Sequence, residues 1–103
     1  MNKVRITVLK CFTKEEIFGD DIPEDLVDSV TPCEALSPGQ EFVMESMVCP
    51  PGFCNWAFGD IYRDIAQLMM GGDFPFIGRP GVMFSSCTDG KRPVIFRLER
   101  IDE

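Results

Sequence analysis

The stretch Cys49–Pro75, CPPGFCNWAFGDIYRDIAQLMMGGDFP, decides how this chain is read. Trp56 or Ala57, then Ile61, Ile65 and Leu68, recur at the spacing of one helical face, which predicts an amphipathic helix over about residues 54–70. Asp60, Arg63, Asp64 and Gln67 fall largely on the opposite face. Pro50-Pro51-Gly52 blocks any preceding strand from running into this helix. Gly71-Gly72 stops it where left-handed backbone is wanted.

Outward from the helix the pattern changes to a period of two. In residues 3–11, Val4, Ile6 and Val8 point one way and Lys3, Arg5 and Thr7 the other, as in a half-buried strand. Residues 41–48 form a second strand, with Phe42 and Met44 inward and Glu41, Val43 and Glu45 outward. Val82–Cys87 and Pro93–Ile101 flank Thr88-Asp89-Gly90-Lys91, a hairpin signal because Asp-Gly tolerates positive φ. Val94, Phe96 and Leu98 of the last strand share a face, with Arg97 and Glu99 on the other. Asp21-Ile22-Pro23-Glu24-Asp25 starts a short helix over about 23–29, which Thr31-Pro32-Cys33 ends. The expected architecture is a single α+β domain spanning residues 1–103. Its mainly antiparallel sheet has about four strands, and one major helix packs on it.

Composition narrows the function classes. The 103 residues are 45% apolar, enough for a core that needs no metal or disulfide merely to fold. The net charge of −7 comes from 10 basic and 17 acidic residues. Most of the excess lies in residues 14–28, KEEIFGDDIPEDLVD, which read as a solvated surface segment that a basic protein partner would recognise. Without a basic face, a nucleic-acid role is disfavoured. The N-terminus has no apolar signal region, and no run approaches the ~18 apolar residues of a membrane span. Five cysteines, an odd number, argue against a secreted disulfide framework and for a cytoplasmic protein.

The chain has no histidine, which removes Ser-His-Asp and Cys-His catalysis and every His-containing zinc site. The thiols remain. Cys11 ends a strand and has no clear partner. Cys33 follows a proline, Cys49 precedes Pro-Pro-Gly, Cys54 opens the helix and Cys87 ends a strand at the Asp-Gly turn. One reading is a metal centre: four thiolates satisfy tetrahedral zinc or iron, although Cys49 and Cys54 are spaced more widely than in a zinc knuckle. A second is thiol chemistry by Cys54 or Cys87. A cysteine in a helix's first turn meets unpaired amides and the positive dipole end, which favour thiolate, and Arg92 adds positive charge if its loop folds over. The bland reading, small filler side chains at the ends of elements, accounts for the same residues. Trp56 with Phe53 and Phe58 is a candidate ligand wall, and Asp89 with Arg92 either a turn-stabilising pair or part of a carboxylate-binding site.

The motifs PGFCNWAFGDIYRDI, GGDFP and CTDGKRPVIFRLER, with the opening KVRITVLK and the mid-chain CEALSPGQEFVME, resemble a family of small uncharacterised proteins of anaerobic bacteria and archaea. The resemblance covers nearly the whole chain and implies a stand-alone domain. The family's cysteine-bearing motifs fall here on Cys33, Cys54 and Cys87. That implies a three-thiol site with an open fourth position, for zinc, iron or a small ligand. The expected function is therefore cysteine-centred metal or small-ligand binding near the helix start and the 87–93 turn. The alternatives are a thiol-dependent enzyme using Cys54 or Cys87 and a non-catalytic protein-interaction module.

Overall fold

The fold is that of a computed structural model, which describes residues 1–101. Strand β1 (Lys3–Cys11) forms where apolar and polar residues alternate, with Val4, Ile6 and Val8 buried. Its register shifts between Val8 and Lys10, a bulge that leaves Leu9 and Lys10 exposed and turns Cys11 into the core. Helix α1 (Lys14–Phe18) follows, unforeseen from the acidic run that contains it. It is set by a capping box. The Thr13 hydroxyl accepts from the Glu16 amide at 3.0 Å, and the Glu16 carboxylate accepts from the Thr13 amide at 2.9 Å. The helix predicted over 23–29 is instead a single 3-10 turn, Glu24–Leu26. None of its side chains is buried, so nothing packs to propagate a longer helix.

Strand β2 (Glu41–Met44) is shorter than the predicted 41–48 because its partner runs out: Met44 pairs with Val4, close to the start of β1. Helix α2 (Asn55–Met69) has Cys54 as its N-cap, so Cys54 stands just outside the first turn in which the sequence placed it. At its other end Gly71 adopts φ +91°. The Gly72 amide donates to the Gln67 carbonyl at 2.9 Å and the Gly71 amide to Leu68 at 3.1 Å, the Schellman pattern. Strands β3 (Val82–Ser86) and β4 (Val94–Ile101) complete an antiparallel sheet of order β2-β1-β4-β3.

Helix α2 covers one face of the sheet. Ala57, Ile61, Ile65 and Leu68 join Val4, Ile6, Val8, Val94, Phe96 and Leu98 in one buried cluster that also takes in Met44, Leu36 and Phe53. Trp56 is 70% exposed, so Ala57 alone takes the first place in the stripe. Asp64, predicted on the solvent side, is buried at 6% exposure. It stands seven residues after Ala57 and three after Ile61, so the helical repeat puts it on the same covered side.

Arg100 fixes the C-terminal end of α2. Its Nη1 donates to the Leu68 and Gly72 carbonyls at 3.1 and 2.7 Å, and its Nη2 pairs with Asp73 at 2.7 Å. The same Asp73 oxygen accepts from the Gly81 amide at 2.7 Å, which ties the entry of β3 to the exit of α2. On the outer sheet face, Glu99 joins Arg5 and Arg97 at 3.2 and 2.9 Å. No helix among the described residues is long and apolar enough to cross a membrane.

Ile61 is fully buried at the middle of the stripe, whereas Met70 is 76% exposed just beyond α2. Ile61→Ala is expected to lower unfolding free energy by ~2–5 kcal/mol, and Met70→Ala to change it by less than ~0.5 kcal/mol. Urea denaturation of the two variants measures the contrast.

Candidate functional site

The start of α2 and the link between β3 and β4 lie together. Phe53 anchors the chain before the helix, its ring centroid 5.0 Å from that of Phe42 and 5.4 Å from that of Phe96. Beyond β3, the Cys87 amide donates to the Val94 carbonyl at 3.1 Å and closes a wider loop than the predicted tight hairpin. Gly90 does not take positive φ among the described residues, so Asp-Gly does not act as a primed two-residue turn. Asp89 shapes the loop instead. Its carboxylate accepts from the Lys91 amide at 3.2 Å and from Arg92 Nε at 3.0 Å.

Thr88 fastens this loop to α2. The Asp60 carboxylate accepts the Thr88 amide at 2.7 Å and the Thr88 hydroxyl at 2.9 Å, while the same hydroxyl accepts from Trp56 Nε1 at 3.2 Å. A third wall comes from the segment before β2. The Lys14 ammonium donates to the Val27 and Ser29 carbonyls, and its amide donates to Thr31 Oγ1 at 3.1 Å. Arg92 Nη1 reaches the Val30 carbonyl at 3.4 Å, and the Cys11 thiol donates to the Leu36 carbonyl at 3.5 Å. Together these bonds hold the segment that carries Cys33.

The three walls enclose a pocket of about 490 Å³. Cys33, Cys54 and Cys87 line it, as do Trp56, Asp89 and Arg92, so the six residues singled out from sequence come together. Leu36, Ala57 and Val94 supply apolar surface between them. Phe53 and Phe58 do not line it: Phe53 is core, and Phe58 packs edge-on against Tyr62 at 5.5 Å. Cys49 lies along a different hollow with Pro50 and Pro51. Among the described residues, no group of three or more cysteine, aspartate or glutamate side chains is arranged to hold a metal ion. The Cys54 side chain makes no hydrogen bond to the amides of α2, because it caps the helix through its backbone alone.

The ionisable groups sort by position. Burial pushes the Cys11 thiol up, and the neighbouring Cys33 and Cys87 sulfurs add to this against a small opposing pull from Lys10. Burial likewise raises Cys49, with help from Cys54. Burial also works against ionised Asp89, but its bonds from Arg92 and the Lys91 amide, with both positive charges, outweigh that and hold the carboxyl below the ordinary range. The Asp89 hydrogen bond keeps Arg92 protonated, with Cys33 and Glu34 adding to the effect.

Asp60, Thr88 and Lys14 are site-building residues that sequence reasoning missed. The Thr13-x-x-Glu16 capping pattern was the available signal for Lys14, since it places that residue at the start of a helix. No local signal ties Thr88 to Asp60, which are 28 residues apart. No family model, no curated protein and no solved structure matches this chain.

Two outcomes are expected. Alkylation follows thiolate, so the rate–pH profiles of Cys11 and Cys49 with iodoacetamide should be displaced above that of a free cysteine, whose pKa is ~8.5. Peptide mapping across the titration reads this directly. Because the folded-state pKa of Asp89 is depressed, its stabilisation of the loop is fully present above the unfolded value of ~3.9 and is lost as pH falls through the lower folded value. Trp56 emission, which senses the loop through Thr88, should therefore show an acid transition that Asp89→Asn removes.

Proposed function

We propose that this chain binds a small, uncharged, apolar or soft ligand in the pocket between α2, the 87–94 loop and the Cys33–Leu36 segment. One observation carries the reading: the polar side chains at the pocket are largely engaged with one another. The Thr88 hydroxyl is taken by Asp60 and Trp56, the Asp89 carboxylate by Arg92 and the Lys91 amide, and two of the five Arg92 N–H groups by Asp89 and the Val30 carbonyl. A charged ligand would have to compete with these bonds and with the Asp89–Arg92 pair, which already balances the charge there. Sulfur, aliphatic carbon and an indole remain to meet a ligand, the usual make-up of an apolar site with few directional groups. On this reading Arg92 serves to build the loop, paired with Asp89. Cys33, Cys54 and Cys87 are the soft contacts. Small-ligand binding is favoured over a thiolate metal centre because the metal reading needs a converging ligand set.

The chain has one tryptophan, and it stands at the pocket. Titration with toluene should change Trp56 emission saturably and slow alkylation of the three pocket thiols, whereas benzoate, similar in size but anionic, should do neither. Equal responses to both compounds, or a linear response to toluene, would overturn the proposal.

A further inference from the structure

Among the described residues, three of the five sulfurs make hydrogen bonds, and these differ in direction. Cys11 donates to the Leu36 carbonyl at 3.5 Å, and Cys49 makes long contacts to the Pro50 and Phe53 carbonyls at 3.8 and 3.7 Å. Such thiols keep their protons. Cys87 is the reverse: its Sγ accepts from the Val94 amide at 3.3 Å. In a regular antiparallel pair the two residues exchange both backbone bonds. Here the Cys87 amide reaches the Val94 carbonyl at 3.1 Å, but the Val94 amide turns to the sulfur. Val94 is buried in the sheet at 1% exposure, so this donor is fixed before any ligand arrives. Cys87 itself is half-buried and lines the pocket, so its sulfur is reachable from there. No amide is placed on the sulfur of Cys33 or Cys54 among the described residues. A hydrogen bond to a charged acceptor is stronger than one to a neutral acceptor, so this N–H favours the sulfur as it takes on charge ahead of attack.

We infer that Cys87 is the nucleophile of this pocket and that its ligands are small, uncharged carbon electrophiles of the activated-alkene class. The inference rests on the pocket as a site for uncharged, soft ligands. The reaction is conjugate addition. The Cys87 thiol gives its proton to water, and the sulfur lone pair forms a C–S bond to the β-carbon of the alkene. The C=C π pair moves onto the α-carbon and the attached carbonyl, and the α-carbon takes a proton back from water. One thiol and one alkene become one thioether, with no oxidant or co-reactant. The Val94 amide meets the charge on sulfur until the C–S bond forms.

The test treats folded, reduced protein with limiting methyl vinyl ketone near neutral pH, followed by quenching, intact mass and peptide mapping. Cys87 should acquire the adduct about tenfold faster than each of the other four cysteines, and saturating toluene should slow it. Cys87→Ser, whose hydroxyl still accepts from Val94, should lose the fast phase and keep the wild-type circular dichroism. A fast adduct on Cys33 or Cys54, or an even spread over the thiols, overturns the assignment. Rapid Cys87 labelling that toluene does not slow overturns it too, since the sulfur would then be attacked from outside the pocket. Saturable toluene binding without selective labelling removes the nucleophile and leaves the binding site standing. Absence of toluene binding removes the site itself.

Discussion

One helix must cover one face of a four-stranded sheet, and the rest of the structure depends on where that helix is pinned. A stripe of Ala57, Ile61, Ile65 and Leu68 supplies the attraction, but apolar burial has no direction and would tolerate sliding or rolling of α2 along the sheet. The two ends remove that freedom by different means. Arg100 binds the Leu68 and Gly72 carbonyls at the helix exit and carries Asp73 and Gly81 with it. At the other end Asp60 holds the Thr88 amide and hydroxyl. These bonds are directional, so they set the position that burial alone leaves open.

The pocket follows from how the first turn of α2 is filled. Its core-facing residue is Ala57, too small to occupy the space that a leucine would take there. Trp56, the large neighbour, is turned out and held by Thr88. Cys54 has a sulfur where helices usually place an oxygen, so its side chain is not drawn onto the amides. The bulge in β1 brings Cys11 to bind Leu36, which sets the opposite wall instead of filling the gap. A cavity with these linings persists because the surrounding loops are tied to α1, α2 and β4 by hydrogen bonds, not by packing into its interior.

Elements whose burial is decided by their own alternation were legible in the sequence. The inward residues of β1 and β4 and the stripe from Ala57 to Leu68 are where the period of two and the spacing of a helix put them. The six residues proposed for the site were readable because each is unusual in type or sits at the end of an element. What escaped was decided by contacts distant in sequence or by competing local cues. The capping box at Thr13 and Glu16 was present, but the charge of residues 14–28 suggested only a solvated run. Asp64 groups with the polar face by residue type, yet it stands seven residues after Ala57 and three after Ile61, which puts it on the buried side of α2. Gly90 carried a turn signal that the longer loop did not use, because Asp89 closes it through Lys91 and Arg92.

The same backbone gives five chemically similar side chains different roles. At Cys11 the bulge buries the thiol beside a carbonyl, which favours S–H. Cys49 lies along a separate hollow, where burial works in the same direction. At Cys54 the helix dipole alone would be the source of activation, and the side chain makes no bond to the amides that create it. At Cys87 the ladder between β3 and β4 is ending, and an amide that would have met a carbonyl one step earlier meets sulfur instead. That difference comes from strand termination, which leaves a rigid donor without its usual acceptor. The thiol chosen by this geometry need not be the one at the helix start. It is the one beside the last rung of the sheet, where the donor is held in place by the core on which the whole fold rests.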